Sequence, residues 1–159
     1  MQTKVIDNFL NRYELKYLLA NTVFNQGFPW YLNHHKEAHF AFSHTFYSNV
    51  DSIGESNSEF FKLIKPIMDE LDINVLLRSK ANLYYKTNET NYHEEHIDFD
   101  YSHKAALLNL NTNNGGTMID GKPYKSIENQ IILFDASKPH SSFTQTDTEL
   151  RYNIIINYL

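Results

Sequence analysis

At Ile73 the hydrophobic pattern of this chain changes period and does not change back. Before it, two stretches carry apolar residues every three or four positions, as on one face of a helix. Beyond it they form short runs and alternations separated by turn residues. Helices first and many short strands afterwards predict an α+β chain that is mainly β, a sandwich or jelly roll with N-terminal helices packed on one sheet. The 159 residues read as one domain, with helical support over about 1–72 and the jelly-roll core over about 73–159.

Individual elements follow from local signals. Thr3 to Leu10 reads as a short strand running into a turn. Leu15, Leu18, Leu19, Thr22 and Val23 form a helical stripe, opened by an Asn11 cap with Glu14 at capping-box spacing and closed by Gly27 and Pro29. Phe28 to Leu32 reads as a buried aromatic strand, His39 to Phe46 as another strand, and Asp51 to Asn57 as a loop. Phe61, Ile64, Met68 and Leu71 mark a second helix over Ser58–Leu71, which Pro66 must kink or split. Strands are then predicted over Val75–Tyr85, Ala105–Leu110, Thr117–Ile119, Tyr124–Ile127, Gln130–Phe134 and Arg151–Leu159. Asn113-Asn114-Gly115-Gly116 reads as a hairpin turn and Asp120-Gly121 as the next.

Several function classes drop out. No cysteine is present, which excludes a disulfide framework and a thiolate metal site. The formal charge is −5 and no block of basic residues occurs, so no nucleic-acid partner is expected. The start, Met1 to Asn8, lacks the basic region and apolar run of a signal peptide, and no apolar stretch approaches the ~20 residues of a membrane span. A soluble, cytoplasmic protein without a membrane partner is expected.

The chemistry concentrates in His96-Ile97-Asp98, His140 and Arg151. On an extended strand His96 and Asp98 face one side and Ile97 the other. His140 stands after the strand-type run Ile131–Asp135 and the turn Ala136–Pro139, about four strands later, far enough to pass round a jelly roll and return. Two imidazoles and one carboxylate are the ligands of a non-haem Fe(II) oxygenase, which leaves other metal positions open. A bare His-x-Asp occurs by chance in many proteins and then marks only a solvated strand end. Arg151 shifts the balance, because a guanidinium heading an apolar strand is costly to bury unless it meets an anion, best a carboxylate held bidentately.

Together with Arg78-Ser79-Lys80-Ala81-Asn82-Leu83-Tyr84, Leu108-Asn109-Leu110-Asn111, Gly115-Gly116-Thr117 and Leu133-Phe134-Asp135, these residues resemble the Fe(II)- and 2-oxoglutarate-dependent oxygenases. The likeness is to the prolyl-hydroxylase-like branch, including small bacteriophage-encoded members, and it covers roughly Arg78 to Leu159. The resemblance implies a double-stranded β-helix, Fe(II) on His96, Asp98 and His140, O₂ as oxidant, and 2-oxoglutarate as co-substrate with its far carboxylate on Arg151. It also implies co-substrate contacts from Tyr84 (in preference to Tyr85), Asn82, Asn109 and Met118. The implied reaction hydroxylates a C–H bond, a prolyl residue in a peptide or protein in the first instance, with release of succinate and CO₂.

Aromatic residues near the motif, Tyr92, Phe99 and Tyr101, could line a channel for a peptide or a free amino acid, or simply pack; His103 reads as a loop residue at the pocket mouth in contact with substrate. His93 and His103 are also rival ligands by proximity, with His93 better placed in a polar entrance loop beside Glu94 and Glu95. His34, His35, His39 and His44 have no metal-finger spacing and read as ordinary histidines. Asn129 reads as a turn residue. Two other function classes fit parts of the pattern: a cupin-like metalloprotein with the same triad and no 2-oxoglutarate, which needs no Arg151, and a non-catalytic jelly-roll binding module, which needs no triad.

Overall fold

The computed structural model describes residues 1–32, 41–50 and 56–159. In chain order the elements are β1 (Lys4–Ile6), α1 (Arg12–Asn21), β2 (Tyr31–Leu32), β3 (Ala41–Ser48), β4 (Ser56–Asn57), a 3₁₀ turn (Phe61–Leu63), α2 (Lys65–Glu70), β5 (Leu76–Tyr85), β6 (Lys104–Asn109), β7 (Gly116–Ile119), β8 (Lys122–Lys125), β9 (Ile131–Asp135), β10 (His140–Phe143) and β11 (Leu150–Tyr158). Among the described residues the strands form two antiparallel sheets. The large sheet runs β1-β9-β6-β11-β5-β3-β2, with β4 paired to β3; the small sheet runs β10-β7-β8.

The alternation along β11 explains the layering. Ile154 and Ile156 point to one face, where they join Leu10 and Leu18 of the α1 region, Ile64 and Ile67 of the α2 region, and Ala81, Leu108 and Ile131 of neighbouring strands. Full burial of each large aliphatic side chain contributes roughly 1.5–3 kcal/mol. Ile155 points to the other face and packs near Leu107, Ile132 and Phe134, with Ile119 and Tyr124 of the small sheet. The helices therefore cover one face of the large sheet and the small sheet covers the other.

The capping box of α1 forms as expected: the Asn11 side chain accepts from Tyr13 N and Glu14 N, and Glu14 Oε2 accepts from Asn11 N. Pro66 does split the second helix, since a short 3₁₀ turn precedes α2 and the proline stands in its first turn, where its missing N–H costs nothing. The aromatic strand expected over Phe28–Leu32 shrinks to Tyr31–Leu32, which is exposed. Phe28 instead fills a buried ring cluster with Trp30, His44 and Phe60. Residues 51–55 of the expected 51–57 loop lie outside the described residues, and Ser56–Asn57 pairs with β3.

One expected turn is absent. Asn113–Gly116 does not close a hairpin, because β6 lies in the large sheet and β7 in the small one. The segment carries the chain between sheets, held by Asn113 Oδ1 accepting Gly115 N and by Asp147 accepting Asn114 N. Its glycines serve close approach rather than turn geometry: a Cβ on Gly115 would lie 2.8 Å from Gln145 N. Asp120-Gly121 does form the β7–β8 turn, both residues at positive φ. Asn129 is a turn residue with φ 59, and its amide also clamps the N-terminal arm, accepting Leu10 N and donating to Leu10 O. His44 is buried between the Pro29 carbonyl (3.0 Å) and Ser58 Oγ (2.8 Å), an ordinary satisfied histidine, and burial lowers its pKa. His34, His35 and His39 lie outside the described residues.

Candidate metal centre

The segment Asn91–Asp98 is too irregular to count as a named strand, yet it runs antiparallel along the free edge of β10. His93 N donates to Ser142 O and Asp98 N to Ala136 O, while Thr144 N donates to Asn91 O. Between them His96 and His140 exchange both main-chain bonds, at 2.9 and 3.0 Å. Such a bonded pair holds two residues directly opposite each other. The imidazoles consequently lie side by side, with ring centroids 4.6 Å apart, and the i+2 relation brings Asp98 to the same side.

The potential ligand atoms of His96, Asp98 and His140 all lie within 4.8 Å of one another, the only such trio of histidine or acidic residues among the described residues. His140 is buried, and its Nδ1 donates to the Lys138 carbonyl at 2.9 Å, which leaves the lone pair on Nε2. Burial holds the His140 pKa below the usual histidine range, outweighing the Lys138 carbonyl and the Asp98 carboxylate, which both raise it. Nε2 is 3.7 Å from Asp98 Oδ2. With the ring neutral this is no salt bridge but two electron-pair donors facing each other, which a cation between them relieves. Donors of this kind suit a divalent first-row metal, Fe(II) included.

On the face of the large sheet that looks toward the small sheet, strand register aligns a row of polar side chains. Arg151 pairs with Tyr84, Asn153 with both Asn82 and Asn109, and Asn157 with Arg78. Arg151 is completely buried. Its Nη1 donates to the Gly116 carbonyl at 2.9 Å and its guanidinium lies 4.1 Å over the Tyr84 ring, while Nε and Nη2 have no partner. Burial lowers its pKa, partly offset by Tyr84. Asn109, 2% exposed, also keeps an unpartnered Nδ2, and Asn82 Nδ2 donates to Asn153 Oδ1. Two orphaned buried nitrogens of the guanidinium, with Asn109 Nδ2 on the same sheet face, fit a carboxylate, the far end of 2-oxoglutarate among others. Tyr85 is half exposed and packs on Phe42, so of the two tyrosines only Tyr84 meets the arginine. Met118 is half-buried on β7, two residues beyond Gly116.

Gly116 is the tight point of this corner. A Cβ there would run into the Tyr124 carbonyl oxygen and lie 2.7 Å from Phe143 Cζ and 2.9 Å from Lys125 Cα. Main chain cannot yield as a side chain can, so Gly116→Ala is expected to cost about 1–3 kcal/mol, a Tm lower by roughly 2–12 °C. Because the carbonyl of residue 116 is itself the Arg151 acceptor, a shift of its main chain moves the guanidinium, and thermal melts with and without 2-oxoglutarate should show a smaller ligand-induced rise in the variant than in the wild type.

The remaining expected residues divide. Tyr92 is 64% exposed, with its ring against Phe143 (5.3 Å). Phe99 and Tyr101 stack on each other, nearly parallel at 5.4 Å, and His103 packs against both. His103 does not stand at a mouth: it is 3% exposed, its Nδ1 bonded to the Tyr101 carbonyl at 2.8 Å. His93 is tied to Ser142 Oγ and, like His103, falls outside the ligand trio. The sequence reading missed Arg78 and Asn157, which hold the two oxygens of Asp98, and Gln145, fully buried with its Nε2 on the Tyr84 carbonyl. Strand parity held the signal for two of them, since Arg78 shares the face of Asn82 and Tyr84, and Asn157 that of Arg151.

No protein-family model matches the chain, and no curated protein matches it. Solved structures do. An oxidoreductase of the 2OG-Fe(II) oxygenase family from Burkholderia pseudomallei superposes with a TM-score of 0.69 at 12% identity, over 98% of this chain and 83% of that one. A prolyl hydroxylase from Trichoplax adhaerens, solved with a hypoxia inducible factor peptide fragment, gives 0.66 at 14% identity over 99% and 83%. The viral collagen prolyl hydroxylase of Paramecium Bursaria Chlorella virus-1, in its 2OG complex, gives 0.57 at 13% identity over 100% and 97%. The chain therefore has the fold that these prolyl hydroxylases and 2OG-Fe(II) oxygenases share. No helix among the described residues is long and apolar enough to cross a membrane.

Proposed function

We propose that this protein is an Fe(II)- and 2-oxoglutarate-dependent dioxygenase built on a double-stranded β-helix, in which the two sheets form one catalytic domain. His96, Asp98 and His140 would hold the metal; Arg151, with Asn109 and Tyr84, would hold the far carboxylate of 2-oxoglutarate, and Asn82 and Met118 would line its pocket. Metal and co-substrate together would supply the O₂ chemistry that hydroxylates a C–H bond and releases succinate and CO₂. The protein's own part is to keep His140 neutral, fix its tautomer through Lys138, clamp Asp98, and present a dry guanidinium to the co-substrate.

The observation that carries this reading is the buried Arg151 with Nε and Nη2 unpartnered, on the same sheet face as Asn157, which bonds the ligand carboxylate. The triad alone would suit a cupin-like metalloprotein without 2-oxoglutarate, and that alternative gives the guanidinium nothing to do. A non-catalytic module gives the triad nothing to do.

For the substrate, we propose a prolyl residue in a peptide or protein. The support is the fold shared with prolyl hydroxylases, one of them solved with a peptide. Exposed Tyr92, beside the ligand segment, would be the first contact. The test is succinate release with Fe(II), 2-oxoglutarate and proline-containing peptides, with free amino acids in parallel, and a product heavier by about 16 Da, one oxygen. Turnover of a free amino acid alone would remove the peptide assignment. Absence of 2-oxoglutarate binding in the presence of Mn(II) would favour the cupin-like alternative.

A further inference from the structure

The ring cluster beside the ligand segment has a use that channel lining does not explain. Asp98 offers two oxygens, and both are engaged by protein donors: Oδ1 by Arg78 Nη2 and Oδ2 by Asn157 Nδ2, each at 2.8 Å. Oδ2 lies 3.7 Å from His140 Nε2. Oδ1 is drawn aside by the guanidinium, whose side chain is 17% exposed. That guanidinium rests in turn on an aromatic platform, with its central carbon 4.8 Å above the Phe99 ring. Phe99 is stacked on Tyr101, and His103 closes the stack from the buried side. The chain from buried His103 to the ligand carboxylate is thus continuous.

Resting on the metal-site reading above, we propose that Arg78 is a positioning residue, seated on the Phe99–Tyr101–His103 stack, that holds Asp98 as a one-oxygen ligand. A carboxylate tethered at both oxygens cannot swing to offer both to the metal. It therefore takes one coordination position and leaves the others for co-substrate and O₂. Phe99, Tyr101 and His103 then act through Arg78 rather than on substrate. A cation this close also repels the metal; the inference is that orientation outweighs repulsion, and this fixes the sign of the test.

Mn(II) affinity is measured by titration of the full chain for wild type, Arg78→Met, Arg78→Lys and Phe99→Leu, alongside the visible absorption of the Co(II)-loaded proteins. Arg78→Met is expected to bind Mn(II) roughly 10- to 100-fold more weakly and to change the Co(II) band intensity, as the freed carboxylate alters the coordination. Arg78→Lys should recover part of the loss. Phe99→Leu, which leaves the ion pair in place, should lose roughly 2- to 5-fold; it and Arg78→Lys carry the comparison if Arg78→Met does not fold. Variants that melt earlier but keep wild-type Mn(II) affinity and an unchanged Co(II) spectrum make Arg78 a structural salt bridge and overturn the inference, as does tighter binding. A wild-type protein that binds no Mn(II) overturns the metal-site reading and this inference with it.

Discussion

Arg151→Met should weaken 2-oxoglutarate binding by roughly 30-fold or more while leaving the ligand-free fold as stable as before, or more so. The two expectations have opposite signs because they draw on different states. Without an anion, Arg151 is a fully buried cation with one hydrogen bond, to Gly116, and two nitrogens without partners. Replacing a buried charge by an apolar side chain of similar volume is often neutral or stabilising by about 1–4 kcal/mol. With a carboxylate bound, the same guanidinium makes charge-assisted bonds in a site closed to water, and truncating one partner of such a pair costs about 2–5 kcal/mol, a factor of roughly 30 to several thousand in affinity. Thermal melts of both proteins with Mn(II) and rising 2-oxoglutarate check this directly. The wild type should climb in Tm as the ligand saturates, and the variant should climb only at concentrations roughly 30-fold or more higher. A variant that responds to 2-oxoglutarate at the wild-type concentration would show that Arg151 is only a structural cation.

His96→Ala should eliminate metal binding and succinate formation with little change in Tm. The choice among the three proposed ligands matters. His140 is buried against Phe134, so removing it also opens a hole in the core. Removing Asp98 strands Arg78 and Asn157. His96 is exposed, its ring has one long 3.5 Å contact with the Glu94 carbonyl besides the neighbouring His140 ring, and its hydrogen-bonded pairing with His140 runs through main chain that alanine keeps. Surface truncations of this kind cost within about 0.5 kcal/mol. Loss of a direct ligand should weaken Mn(II) binding by more than the roughly 10- to 100-fold typical of an outer-shell partner. Wild-type succinate release by His96→Ala would remove the metal assignment.

The legible parts of this molecule were those coded by short range. The α1 cap, the split at Pro66, the β7–β8 turn and most strands of the core could be read because neighbours in sequence decide them: an Asn side chain reaching its own helix, a ring lacking an N–H, a pair of residues tolerating positive φ. The site was legible for the same reason at one remove. His96 and Asp98 share a side through the two-residue period of an extended chain, and Arg151 was conspicuous as a charge opening an apolar run. Parity along β5 likewise put Asn82 with Tyr84.

Which face that was, and what would meet there, depended on partners far off in the chain. The Asn113–Gly116 segment has the composition of a hairpin, but hydrogen-bond partners were available in another sheet, so it became a crossing. The sequence alone determined the local elements and the identity of the donors, because side-chain chemistry and backbone preference are properties of a residue and its neighbours. Only the tertiary structure decided that His140 lies opposite His96, that Arg78 reaches Asp98, and that Arg151 is shut away from water. Pairing between distant strands and exclusion of solvent belong to the assembled sheets and to no single stretch of chain.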